Sequence, residues 1–585
     1  MKLNLNPFNL RFFQIILFLL AAVPCGIPYR YQPNPVFPSE LAAFIFASLL
    51  VLGAVFVPRR DEEPVVLPWA SLIWFGLAGV VGLQYWFVDT PYLCERTVPM
   101  LYFGCAGLSV WALARAKAAY GAQALVEALA WGLLAGTLFN SGVGFSQLID
   151  LFQHGWRLIY GHIGQKNMYG HYLAWGLAAC AWLAAERKLP QWAFWPLAVW
   201  LALSMAWSSS RSVFLYALAW LPLAGFIAWR GRDNLRRFGC FLGASALLII
   251  AMQFVAPLIN DAIQAMLKAG NEAPTGVDRL ASNGSRRLVE WEKAWMTFLQ
   301  HPLLGVGWGA YAAQSVILHV LPDFARVQES VLFTHSHNSL LNLMAETGIL
   351  GAGIVVAGIV WIYAALLRYW KDPIAMFAMA LATVSILHSL VEYPLWYYHL
   401  FGPFVLMLLF IRSDGIRLPL PQRGLQLGFA ATAGGLIAVA IAGGMLYLKI
   451  YPIMDPADDE KTNAANIRML EQLRRHPLLD FYGAYALSNY IVASDKDITW
   501  KLAILRPLNS IRPYPGQMTD QAVLEALSGN KARAHELIRQ AAYAYPESFD
   551  YFYQTLERFP QPAVQELRRD VDEAYRFFGK KPPQK

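Results

Sequence analysis

Charge is scarce in this sequence. Asp, Glu, Lys and Arg make up 15% of 585 residues, where a soluble chain carries about 25%. With 57% hydrophobic residues and a mean hydropathy of +0.38, that shortage excludes an ordinary soluble enzyme. Cysteine is scarce as well. The five present have no metal-ligand spacing, and although Cys25 and Cys94 both fall on the expected outer side, their pairing does not follow from sequence. No Walker-type phosphate loop is evident, so the energy for any group transfer has to reside in a substrate. The net charge of +8 reflects topology and gives no sign of nucleic-acid binding.

What the sequence does have is long apolar runs, many ended by aromatic residues that favour the membrane interface. A spanning helix needs roughly 20 mostly apolar residues. By that measure thirteen segments read as spans: 11–29, 41–57, 68–88, 97–114, 122–145, 169–185, 192–207, 212–229, 238–257, 339–367, 373–391, 396–411 and 424–450. The first lacks a small-x-small cleavage pattern in "AAVPCG" and reads as a retained helix.

Lys and Arg set the orientation. With the N-terminus inside, the inner short loops hold seventeen of them, against Arg30, Arg96, Arg157, Lys166 and Arg211 outside. The expected architecture is an all-α polytopic membrane protein, N-terminus in and C-terminus out. It divides into a membrane domain over 1–451, which includes an outer loop over 258–338, and a helical outer domain over 452–585. Loops as long as 258–338 are usually functional or disordered, and this one is too rich in Trp, Leu and Val for disorder. In the tail, "TDQAVLEALSGNKARAHELIRQAAYAYPESF" has helical periodicity punctuated by Gly529 and Pro546. This suggests a degenerate tetratricopeptide-like array, either a docking platform or a stabilising cap.

Ionisable groups at membrane depth are costly and default to function. Four outer-side stretches carry them. "FTHSHNSLLNLMAETGILG" places His335 and His337 above a helix mouth, with Asn338, Asn342 and Glu346 spaced for one helix face. "GHIGQKNMYGHY" supplies Gln165 and Asn167. "WSSSRSVF" supplies Arg211, whose planar fork suits phosphate. "LHSLVEYPLWYYHLF" supplies His388, Glu392 and Tyr393, with no local partner for Glu392. The long loop adds Arg279, Arg286 and Arg287. Helix capping and interfacial snorkelling account for such residues singly. Metal is not expected, since a His-x-His pair needs further ligands and His154, His162, His171, His301 and His319 form no spaced cluster. Arginines suit a phosphate-bearing lipid, and His or Glu suits proton abstraction from a hydroxyl. Together they point to a transferase with a diphosphate-linked lipid donor and an acceptor outside the cytoplasm.

"HSHNSLLNLMAETGILG", downstream of "RRLVEWEKAWMTFLQHPLLGVGWGAY", resembles the hallmark of the O-antigen ligase and polymerase superfamily. "GHIGQKNMYGHYLAWGL" and "HSLVEYPLWYYHLFGPF" are similar to the branch of bacterial pilin O-oligosaccharyltransferases of the Neisseria type. The resemblance implies transfer of a preassembled glycan from undecaprenyl diphosphate to Ser or Thr of pilin and other periplasmic proteins. The setting is the inner membrane, and no metal or cofactor is required. By motif it implies that His337 is the critical histidine, with Gln165 and Tyr393 as further catalytic positions; Glu392 is read beside them as supporting His337 or positioning the sugar. Arg211 and one of Arg286 and Arg287 match positions that cradle the donor's diphosphate in related ligases; beside them Arg279 is a further candidate for the diphosphate, and Asn167, His335 and Asn338 are candidates for substrate contact. The nearest alternative is a lipopolysaccharide O-antigen ligase with a lipid A-core acceptor; a polysaccharide polymerase and a transporter of lipid-linked glycan follow. A transporter is expected to carry charge through the bilayer depth, whereas here it clusters at the outer mouths.

Overall fold

The computed structural model describes residues 7–58, 64–155, 158–276, 287–325, 327, 331–410 and 414–580. In lipid a backbone has to satisfy its own N–H and C=O groups, so apolar runs become helices. The membrane-expected segments are α1 (Pro7–Ala22), α2 (Phe37–Gly53), α3 (Trp69–Phe87), α4 (Cys94–Tyr120), α5 (Gln123–His154), α6 (Lys166–Ala185), α7 (Gln191–Trp207), α8 (Ser212–Arg230) and α9 (Asp233–Leu267). Two outer-loop helices follow, α10 (Arg287–Gln300) and α11 (Tyr311–His319). Then come α12 (Ser339–Arg368), α13 (Pro373–Ser389), α14 (Tyr398–Leu409) and α15 (Gln422–Ile450).

Each of the thirteen expected segments is therefore helical. Among the described residues, nine helices are long and apolar enough to cross a membrane. The other four are α6, which carries Lys166, Asn167 and His171, and the shorter α7, α13 and α14. Helix α9 runs beyond the expected end at 257 to Leu267, so the loop after it starts later than its composition suggests.

The chain groups into two compact units. The first comprises Met1–Leu77, Leu101–Gly284 and Ile354–Gly444. Within it α8 packs along α9, α1 along α5, and α5 along α6. Helix α6 is buried on every side from Asn167 to Ala185, as expected of a helix that is apolar all round. A short antiparallel ribbon, β1 (Val65–Pro68) with β2 (Gly415–Leu418), pairs Val65 with Leu418 and Pro68 with Gly415.

The second unit comprises Ala78–Met100, Ser285–Gly353 and Met445–Lys585. Its tail is built of α16 (Glu460–Leu473), α17 (Asp480–Ser488), α18 (Ile498–Asn509), α19 (Pro515–Leu527), α20 (Lys531–Ala544), α21 (Phe549–Glu557) and α22 (Arg568–Phe577). Leu470, Leu487, Leu505, Val523 and Ile538 form its core, and Val316 and Ala325 of the outer loop belong to the same cluster. Loop and tail thus share one hydrophobic core. The tail also caps α4: the Asp480 carboxylate accepts hydrogen bonds from the Leu93 and Cys94 amides, the latter at 3.1 Å. Those are amides that the helix itself leaves unsatisfied. All five cysteines are free thiols.

Candidate functional site

In the first unit the separate motifs meet. Asn167 opens α6, and its Nδ2 donates to Glu392 Oε1 at 2.7 Å. The Ser210 hydroxyl donates to Asn167 Oδ1 at 2.8 Å. Glu392, which has no local partner in sequence, is 1% exposed and finds one 225 residues away. Deeper along the same helices, His171 Nδ1 lies 3.0 Å from His388 Nδ1, and His171 Nε2 lies 3.1 Å from Ser385 Oγ. His388 precedes Glu392 by one helical turn, and its carbonyl accepts from the Glu392 amide at 2.8 Å. The result is a buried polar series running from Ser385 through His171 and His388 towards Glu392, Asn167 and Ser210.

Arg211 follows Ser210 at the N-terminus of α8. It is exposed, and its guanidinium makes no hydrogen bond or ion pair among the described residues. Gln165 is the N-cap of α6: its Oε1 accepts from the Met168 amide at 2.7 Å. Tyr393 sits at the break between α13 and α14, its ring 5.9 Å from that of Tyr397.

In the second unit His335, His337 and Asn338 form the mouth of α12. Asn338 caps the helix, its Oδ1 accepting from the Leu340 and Leu341 amides at 3.1 and 3.0 Å. Ser336 N donates to Asn342 Oδ1 at 3.0 Å, so Asn342 ties the loop down. His337 has φ = 54°, a left-handed conformation that a non-glycine residue holds only when its surroundings impose it. Its ring lies 5.6 Å from that of Phe333. The half-buried His335 shares a hydrogen bond of 2.9 Å with Thr334. Burial, then Arg512 and His337, hold its imidazole well below the ordinary range.

Helix α12 is broken at Gly348, where φ is 61° and ψ is −163°. The break frees backbone groups, and the loop 302–308 satisfies them. Ile349 N donates to Pro302 O at 2.8 Å, Val306 N to Ala345 O at 2.9 Å and Gly307 N to Glu346 O at 3.1 Å. Gln84 Nε2 adds bonds to Glu346 O at 2.7 Å and Leu304 O at 2.8 Å. Glu346 is fully buried, its carboxylate near the Gly309 and Tyr311 amides. Below this loop, α10 and α11 enclose an ion pair: Lys293 Nζ donates to Glu290 Oε1 at 2.7 Å and to His319 Nδ1 at 2.8 Å. Arg287 begins α10; Arg279 and Arg286 lie outside the described residues.

The predicted residues thus fall into two groups. Gln165, Asn167, Arg211, Glu392 and Tyr393 belong to the first unit, and Arg287, His335, His337 and Asn338 to the second. Sequence reasoning missed two partners. His171 lies on an apolar helix with nothing nearby to reveal His388 as its partner. Arg512 of the tail donates to the Gly309 carbonyl and neighbours His335, and it lies far from any motif. Among the described residues no three His, Cys, Asp or Glu side chains converge as metal ligands would.

Comparison with known proteins gives three matches. Residues 196–356 match a family described as O-Antigen ligase. Residues 376–558 match a family described as Virulence factor membrane-bound polymerase, C-terminal. A General O-oligosaccharyltransferase of Acinetobacter baylyi is 25% identical over 552 residues, covering 91% of this chain and 90% of that protein.

Proposed function

We propose that this chain, which is similar to O-antigen ligases over residues 196–356 and to a General O-oligosaccharyltransferase along most of its length, is a membrane-bound O-linked oligosaccharyltransferase of the O-antigen ligase superfamily. Its donor is a preassembled glycan on undecaprenyl diphosphate, and its acceptors are Ser or Thr hydroxyls of pilin and other periplasmic proteins. It works in the inner membrane of a Gram-negative bacterium with its active residues facing the periplasm. The likeness to an O-oligosaccharyltransferase along nearly the whole chain, tail included, carries this reading over a lipid A-core acceptor. We read 1–451 as the catalytic membrane domain and 452–585 as a periplasmic helical domain.

In this mechanism the acceptor hydroxyl oxygen attacks the anomeric carbon from the face opposite the diphosphate, so configuration inverts. The bond from that carbon to the phosphate oxygen breaks, and undecaprenyl diphosphate leaves with the electron pair. Arg211, with Arg287, Arg286 or Arg279, stabilises the leaving charge through a planar, always-ionised fork. His337 orients the acceptor hydroxyl and takes its proton. Glu392, held by Asn167, and Tyr393 position the sugar next to the bond that breaks. Gln165 fixes the start of α6, and His335 and Asn338 shape the loop that carries His337.

The test is reconstitution of the full chain with undecaprenyl-diphosphate glycan and purified pilin, read by intact mass. A glycan-sized gain with wild type, lost in a folded His337→Ala protein, supports the reading. Transfer only to lipid A-core, offered in parallel, replaces pilin as acceptor. Undiminished transfer by His337→Ala removes that residue from the mechanism.

A further inference from the structure

A cavity of about 940 Å³ opens in the first unit beside the segment that leads into Gln165. Arg30, Gln147, Asp150, Gln153, Tyr160 and His162 supply its polar wall, and Phe145 its aromatic one. Ligand sites of small molecules run to roughly this size. None of these residues belongs to the groups assigned above to the diphosphate or to the reacting bond.

The floor of the cavity is pre-formed. Gln147 Oε1 accepts from the Tyr160 and Gly161 amides at 2.9 Å each, and its Nε2 donates to the Gly161 carbonyl at 2.8 Å. The His162 amide donates to Asn140 Oδ1 at 2.9 Å, and its Nδ1 bonds the Gly26 carbonyl at 2.7 Å. Arg30 reaches the His162 carbonyl and, at 3.1 Å, Ser39 Oγ. Asn140 and Gln147 of α5 and Arg30 of the loop after α1, with the His162 ring on the Gly26 carbonyl, therefore hold residues 160–162 in place. Such a surface loses little entropy when it binds.

The chemistry of the wall selects among ligands. An acyl chain is a poor fit, because polar groups occupy much of the lining. A diphosphate is also a poor fit. Among the described residues Arg30 is the one Lys or Arg in the wall, its Nη atoms are committed to protein acceptors, and the Asp150 carboxylate opposes an anion. The remaining groups are a mixture of donors and acceptors: the Tyr160 hydroxyl, the Gln153 amide and His162 Nε2, beside the Phe145 ring. Mixed donors and acceptors around an aromatic face suit a neutral, hydroxyl-rich ring.

We infer that this cavity is a glycan subsite, holding sugars of the lipid-linked donor beyond the one whose anomeric carbon reacts. The inference rests on the oligosaccharyltransferase reading for the identity of the donor. It places the distal sugars against 160–164, a few residues before Gln165 and Asn167, so that glycan length is sensed within the same unit that holds Glu392. Among the described residues Arg30 Nε is buried without a partner, at the rim formed by Gly164, 2.9 Å from where a Cβ on that residue would stand.

The test uses full-length protein and lipid-linked glycan extracted from the cells that make it. Half of the extract is trimmed by exoglycosidase to its first sugar. Gln153→Ala and Tyr160→Phe each remove one polar group, and neither side chain makes a hydrogen bond among the described residues. The expected result is a fall of about 5-fold in kcat/KM for the intact donor relative to the trimmed one, as for one lost neutral hydrogen bond. An equal change for both donors, or none, overturns the subsite. A second arm reads binding without catalysis. Oligosaccharide released from the same extract by mild acid should give saturation-transfer NMR signals with wild type that weaken with Tyr160→Phe. Absence of signal with wild type overturns the subsite. If wild type transfers from neither donor, the oligosaccharyltransferase reading fails, and the binding arm still decides the subsite.

Discussion

At the scale of single residues, the Asn167–Glu392 bond is the most exacting contact in the first unit. A buried carboxylate deprived of a donor is destabilised by about 1–3 kcal/mol, so Asn167→Ala should lower thermal stability by that order and reduce transfer. Glu392→Gln keeps an acceptor for Asn167 while removing the charge. It should retain most of the stability and still lose activity if the charge acts on the sugar. Thermal unfolding and initial transfer rates on the same preparations separate the two effects.

His319 offers a pH test of the same kind. Burial, then Lys293, pushes its imidazole down to about 3, from an ordinary value near 6.5. Between those values the unfolded chain binds a proton that the folded chain refuses, so stability falls as pH is lowered. Between pH 7 and pH 5 the loss should be on the order of 2 kcal/mol, at 1.36 kcal/mol per pH unit below the unfolded value. A melting temperature that does not fall over that range, or falls equally in His319→Gln, would contradict the assignment. Neither partner of these residues was visible in sequence. Glu392 reads as an orphan and His319 as one of several scattered histidines, because side chains meet across folds of more than twenty residues.

At the scale of elements, the broken helix α12 is the informative case. Its sequence predicts a continuous helix from 339, and "LMAETGILGAG" contains no proline. Gly348 breaks it, and a Cβ there would stand 2.2 Å from the Leu303 carbonyl oxygen. Gly348→Ala should therefore destabilise the protein by more than ~2 kcal/mol, since the ε-region backbone is itself open essentially to glycine alone. It should also expose 302–308 to protease, which limited proteolysis of the folded protein would detect. The turn-rich "HPLLGVGWGAY" signals a loop in sequence. That this loop serves as the backbone partner of a helix break depends on register between segments forty residues apart, which periodicity does not carry.

At the scale of the whole molecule, the tail is tied into the unit that holds His337. Asp480 caps α4, Arg512 bonds the Gly309 carbonyl beside Glu95, and the outer loop contributes to the tail's core. Removing residues after 451 should therefore yield a chain that is inactive and aggregates. Arg512→Ala should raise the His335 titration, since Arg512 holds that imidazole down. NMR of labelled histidine measures that shift, and an unmoved His335 would show that Arg512 does not reach it.

What the sequence by itself determined is the set of thirteen helical segments, because each follows from a run of apolar residues, a local quantity. It also determined the motifs, because Gln165, Asn167, Arg211, His337 and Glu392 stand out where polar groups are costly. The tertiary structure alone decided which motif residues touch, where α12 breaks and which side chains of the tail reach the α12 mouth. Those outcomes depend on contacts between segments tens to hundreds of residues apart, and hydrophobicity and spacing leave such pairings open.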